Sequence, residues 1–172
     1  LALCSALPAL AADRVSPEIA ARYGQVVQRA EAAGSVDAAI EIYEEALLGF
    51  ASGYGRVHLR LGQLYQQAGK PAEAAANFRA CMDDDRVDAL DRDIICKSNF
   101  EKSTTPFEFT GLPAGGRVLV LQPGAFAGEV RSGVRLPPGP LEVTVEVPGR
   151  APRSTALSLP RARPWQVMVG LA

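Results

Sequence analysis

The chain has a single histidine, His58. An imidazole is the side chain best suited to proton transfer near neutrality, so His58 is the first place to look for acid–base chemistry. It stands in line with Leu61 and Tyr65 on one face of a helical pattern. No G-x-S-x-G, Walker loop or H-E-x-x-H accompanies it, and we read it as an interface residue between packed helices. Asp83, Asp84 and Asp85 place three carboxylates in a row, but a calcium loop needs alternating ligands and a central glycine. They read as a solvated helix end. Gly115-Gly116 does not head a helix and so cannot cradle a phosphate. Trp165 could stack on a sugar or anchor a core, and its alternation with Val167, Val169 and Leu171 favours the core. With one histidine and no C-x-x-C, zinc is not expected. These residues point to no catalytic residues, no metal, no cofactor and no enzyme.

The positioning elements must come from 172 residues, 48% of them hydrophobic, enough for one domain or two small ones. A net charge of −1 and a pI near 5.9 argue against nucleic acid as a partner.

The N-terminal stretch LALCSALPALAA carries no charge over twelve residues. It is too short to span a membrane. Residues 1–12 read as a signal-peptide remnant with Ala9-Leu10-Ala11 as a small-x-small cleavage site. Lipidation at Cys4 is the weaker alternative, because Leu3 is bulky for lipoprotein processing, and a structural N-terminal segment is a third. Export to the periplasm or cell surface follows as the expectation, with no transmembrane span in the mature chain. Cys81 and Cys96 are then a pair, fifteen residues apart. They are either a disulfide or two small buried thiols; export favours the disulfide.

Residues 16–102 have helical period. Ser16-Pro17-Glu18 is a strong helix start, with a capping hydroxyl, proline in the first turn and an acid at the positive end of the dipole. Further helices are expected from about Ser35 to Gly49, over Arg56–Ala68 and over Ala72–Met82, each punctuated by glycine or proline. A fifth is expected over about Val87–Lys102, with Leu90, Ile94, Ile95 and Phe100 facing inward. AAGSVDAAIEIYEEAL and QAGKPAEAAANFRACM overlay: Gly34 and Gly69 are 35 residues apart, as are Tyr43 and Phe78. This period, with Leu61, Gly62 and Tyr65 on one helix and Ala74, Phe78 and Cys81 on the next, resembles the tetratricopeptide (TPR) family. The first repeat departs from it at Val27, where glycine is usual. The resemblance implies antiparallel helix pairs with a capping fifth helix, and a concave groove that holds a protein partner. The lining it implies is Gln28, Arg56, Leu59, Arg60, Gln63 and Gln67. Arg56 and Arg60, one turn apart, could pair with a carboxylate.

Residues 103–106, Ser-Thr-Thr-Pro, read as a linker. In 107–172 six short strands are expected, at 107–110, 116–121, 128–136, 141–147, 155–159 and 165–171, each bounded by Pro or Gly. Val143, Val145 and Val147 should share an inward face. Gly116–Val120, the L-P-P-G turn at 136–139, the strand at 141–147, Pro148-Gly149 and the last strand together resemble the PEGA-type bacterial surface-layer module. Arg150 stands where that family has an aromatic. The resemblance implies a small β-sandwich and a place in the bacterial cell envelope.

The expected fold class is therefore α+β, with TPR-like helix pairs followed by an all-β sandwich. The expected function is that of an exported, non-enzymatic adaptor or scaffold in an envelope protein complex. The alternative is a module that binds peptidoglycan or another surface glycan through its β domain.

Overall fold

The computed structural model describes residues 14–161 and 165–168. The expected signal segment at 1–12, Cys4, Val169 and Leu171 lie outside the described residues. The fold is α+β, helices first and strands after. Helices α1 (Pro17–Glu31), α2 (Val36–Leu48), α3 (Gly55–Gln67) and α4 (Pro71–Asp83) follow one another, each packing on its neighbour in sequence. Ser16 and Ser35 cap α1 and α2, accepting from the N–H of Ile19 at 3.2 Å and of Ala38 at 3.1 Å, as the serines and acidic first turns predict.

The inward faces of these helices form one core. Phe78 is fully buried, and a Cβ on Gly62 would lie 2.5 Å from its ring. The glycine is therefore what lets the aromatic of α4 seat against the backbone of α3. His58 joins the same pair of helices, its Nδ1 2.8 Å from Asn77 Oδ1, as an interface residue should.

The last helical stretch, α5, runs as Ala89–Asp91, a π-helical segment Arg92–Cys96 and a final Lys97–Ser103. It corrects the expected inward face. Phe100 is buried and Ile95 partly so, but Leu90 and Ile94 are 65% and 58% exposed. A π turn adds a residue per hydrogen-bonded loop and rotates what precedes it off the face that follows. The buried Cys96 sits in this segment, and its sulfur lies at bonding distance from that of Cys81, with Cα atoms 5.9 Å apart.

Residues 103–106 are not a linker. Ser103 closes α5 and Thr105 opens β1, and Ser103, Thr104 and Thr105 are all buried. Their hydroxyls all find acceptors: Ser103 donates to Asn99 O at 2.8 Å and Thr104 to Phe100 O at 2.7 Å in the last helical turn, and Thr105 to Pro160 O at 2.8 Å at the end of β6. Back-bonding to the last helical turn lets a loop-like composition continue a helix.

Strands β1 (Thr105–Thr110), β4 (Val134–Leu136) and β7 (Trp165–Met168) form a three-stranded sheet, β4-β1-β7, in which β1 and β7 are parallel. Strands β2 (Arg117–Gln122), β3 (Phe126–Val130), β5 (Gly139–Glu146) and β6 (Arg153–Leu159) form an antiparallel sheet, β3-β2-β5-β6. The two share one apolar cluster, in which Phe107 and Leu136 of the first meet Val118, Val120, Leu141 and Val143 of the second. Leu141 and Val143 are buried and Val145 packs half-buried against the same cluster, so the expected inward face holds over these residues; Val147 lies beyond the end of β5 and is not part of that cluster. The single strand expected over 128–136 is two strands in different sheets. Gly133, at φ +88°, and the bond from Val134 N–H to Arg131 O at 3.1 Å turn the chain between them.

Candidate functional site

The face of α3 carries most of the expected groove, and the residues divide sharply. Leu59 is 7% exposed and belongs to the core. Arg56 turns to Asp91 of α5, its Nη2 2.5 Å from Oδ2, with both side chains largely buried. Neither lines a groove. The expected Arg56–Arg60 clamp is not assembled, because a half-buried guanidinium is stabilised best by a carboxylate brought in by its own fold. Gln28 is exposed on α1 but is not in the depression that forms.

Arg60, Gln63 and Gln67 do come together. With Ala30 and Glu31 of α1 and Ala39 and Tyr43 of α2 they line a shallow depression of about 160 Å³. Arg60 Nη1 donates to Gln63 Oε1 at 3.2 Å. Burial first, then the nearby Tyr23 and Glu31, push the Tyr43 hydroxyl up to about 12, with Arg60 opposing. Tyr43 is therefore a neutral donor at the floor. Tyr65, one helical face away, donates to Glu44, and burial together with that bond raises it to about 12 as well. The arrangement offers one cation, Arg60, one carboxylate, Glu31, two primary amides and a neutral phenol at the edge of an apolar seam. It can hold a polar peptide segment by hydrogen bonds and one ion pair. It brings no nucleophile against a base.

No family model, curated protein or solved structure matches the chain. Function therefore rests on the geometry. Among the described residues no group of three or more His, Cys, Asp or Glu could hold a metal ion, and no helix is long and apolar enough to cross a membrane.

In the acidic run Asp83 and Asp85 are exposed, as a solvated helix end requires, but Asp84 is buried. It is 9% exposed, and its carboxylate takes the Gly55 N–H at 2.6 Å, the Arg86 N–H at 3.2 Å and Arg86 Nε at 2.8 Å. The residue before α3, Tyr54, offers no side-chain cap. Asp84 supplies it from 29 residues away, a partnership no local sequence motif announces. Burial opposes its ionisation. The bonds from the Arg86 side chain, the Gly55 N–H and the Arg86 N–H, with the Arg86 charge, outweigh burial and hold Asp84 below the usual carboxylate range. A lowered folded-state pKa contributes stability that is present above the unfolded value, near 3.9, and lost as pH falls through the folded value. Asp84→Asn should therefore be less stable than the parent by about 2 kcal/mol at neutral pH. The gap should close below about pH 4. Urea titrations at a series of pH values check this, and a gap that does not vary with pH would contradict it.

Proposed function

We propose that this chain is an exported, non-enzymatic adaptor or scaffold subunit of a bacterial cell-envelope complex. In this reading α1–α4 are two TPR-like helix pairs, α5 their cap and the two sheets a PEGA-like sandwich. The observation that carries it is the depression in which Arg60, Gln63 and Gln67 of α3 stand beside Glu31 and Tyr43. It sits where the inner helices of such pairs would meet a partner, and its groups recognise a peptide backbone and a carboxylate rather than transform a substrate. Two further facts support it. Helices α2 and α4 have equal length, and their first residues are 35 positions apart. The Cys81–Cys96 pair at bonding distance suits an oxidising compartment.

The partner is a protein, held weakly by the depression itself and more firmly by the assembly around it. Cross-linking of the tagged chain in envelope fractions should capture one stoichiometric protein. Arg60→Glu should reduce that capture about tenfold, since it replaces attraction by like-charge repulsion, while leaving the thermal midpoint unchanged. Retention on purified sacculi that survives Arg60→Glu, with no protein captured, would overturn the reading in favour of glycan binding.

A further inference from the structure

A second cavity lies where the helices meet the strands, away from the Arg60 face. It has a volume of about 370 Å³, within the range of ligand sites. Ala72, Ala75 and Ala76 of α4 form one side of it, and Phe100 of α5, Phe126 of β3 and Leu136 of β4 complete an apolar lining. Among the described residues two charges enter it, Arg79 and Arg135, and no Asp or Glu lines it. Arg135 is held by oxygens that carry no charge, reaching Glu101 O at 2.7 Å, Thr104 O at 2.9 Å and Thr104 Oγ1 at 3.0 Å. Arg79 lies over the Phe100 ring, its guanidinium carbon 4.7 Å from the centroid. Stacking fixes its direction without neutralising it. An apolar cavity with two guanidinium groups that pair with no carboxylate among the described residues is complementary to an anion that carries an apolar group.

The strand topology says what form that anion takes. Among the described residues β3 has no strand on its outer side, and Ala127, Gly128 and Glu129 along it are exposed. Such an edge is a template for one more strand. Phe126, the first residue of β3, is the one that lines the cavity, and residues of α4 and α5 line it opposite. A peptide laid along β3 must therefore stop there. A strand parallel to β3 would bring its N-terminal ammonium to Arg79 and Arg135, whereas an antiparallel one brings its C-terminal carboxylate. Charge selects the second.

We propose that β3 and this cavity bind the free C-terminus of a partner protein, added antiparallel to β3, with an apolar last side chain over the alanines of α4 and its carboxylate paired to Arg79. The site is independent of the Arg60 depression. The test is fluorescence anisotropy on the full chain, with a labelled decapeptide of alternating Val and Thr that ends in Leu and a free carboxylate. The acid should bind, and its C-terminal amide should bind about tenfold more weakly or worse. Arg79→Gln, at an exposed position, should lose the same factor with an unchanged thermal midpoint, whereas Arg60→Glu should bind as the parent does. N-methylation of alternate peptide amides should abolish binding, since it removes the donors a strand needs. Equal affinity for acid and amide overturns the proposal, as does undiminished binding by Arg79→Gln or of the N-methylated peptide. So does the absence of any signal at about 1 mM protein. Octanoate that displaces the peptide at the peptide's own concentration would assign the cavity to a free acyl chain and overturn it too.

Discussion

Phe78→Ala is expected to lower the unfolding free energy by about 3–5 kcal/mol, the range for truncating a buried phenylalanine. Its ring is fully buried in the helical core, with Gly62 of α3 directly beneath it. Removing the ring leaves a cavity that the surrounding helices can only partly fill. The same contact predicts the effect of adding atoms. A Cβ on Gly62 would stand 2.5 Å from Phe78 Cε1 and 2.7 Å from Cδ1, well inside contact distance. Gly62→Ala should therefore destabilise by about 1–3 kcal/mol as an overpacked core does, although alanine is the better helix former by about 1 kcal/mol. Steric overlap wins because both groups are rigid. Combining Gly62→Ala with Phe78→Leu should cost less than the sum of the two, as expected for groups in direct contact. Equilibrium urea unfolding of the three variants measures the coupling. Strict additivity, or a stabilising Gly62→Ala, would show that the ring does not depend on the glycine.

That glycine was legible in the sequence, and comparison with Asp84 shows why. Phe78 repeats Tyr43 at 35 residues, and periodicity carries such packing information directly; Gly62 has no counterpart at Val27 and was singled out by the resemblance to the TPR family. The cap on α1 was equally legible, because Ser16 acts on a residue three positions away. Asp84 acts on Gly55 across two helices and the turn between them, and nothing local distinguishes it from Asp83 or Asp85. The same limit governs the groove. Arg60, Gln63 and Gln67, three of the six residues the TPR resemblance implies, line one depression. Arg56 has identical periodicity but is withdrawn by Asp91, a partner whose placement depends on where α5 crosses α3. The π turn of α5 hides in the sequence for a related reason. Its extra residue changes which face Leu90 and Ile94 occupy, but leaves their four-residue spacing intact. Glycine gave the strand break at Gly133 only in retrospect, since glycine within an alternating run also fits a bulge.

Removing the Cys81–Cys96 link should cost the chain about 3 kcal/mol, the value for a closed loop of this size. The two cysteines are fifteen residues apart and fully buried, so the loop they close, Met82–Ile95, contains the Asp84 cap and the Asp91 partner of Arg56. The unfolded chain gains freedom when the link is cut, and in the folded chain the segment that carries both carboxylates loses one of its ties. A paired Cys81→Ala, Cys96→Ala substitution separates these effects. If the link acts only on the unfolded chain, the variant unfolds earlier in urea, yet amide exchange at Gly55 in the native state slows or quickens only in proportion to global stability. If it also holds the segment in place, Gly55 exchanges faster than global unfolding allows, because its acceptor on Asp84 opens locally. We expect the second result. Beyond its bond to Gly55 itself, the Asp84 carboxylate is held by Arg86 two residues away, on the same loop, and the covalent tie of that loop to α4 is the short span of chain back to Cys81. An unchanged urea midpoint under reducing conditions would show that the pair contributes packing alone.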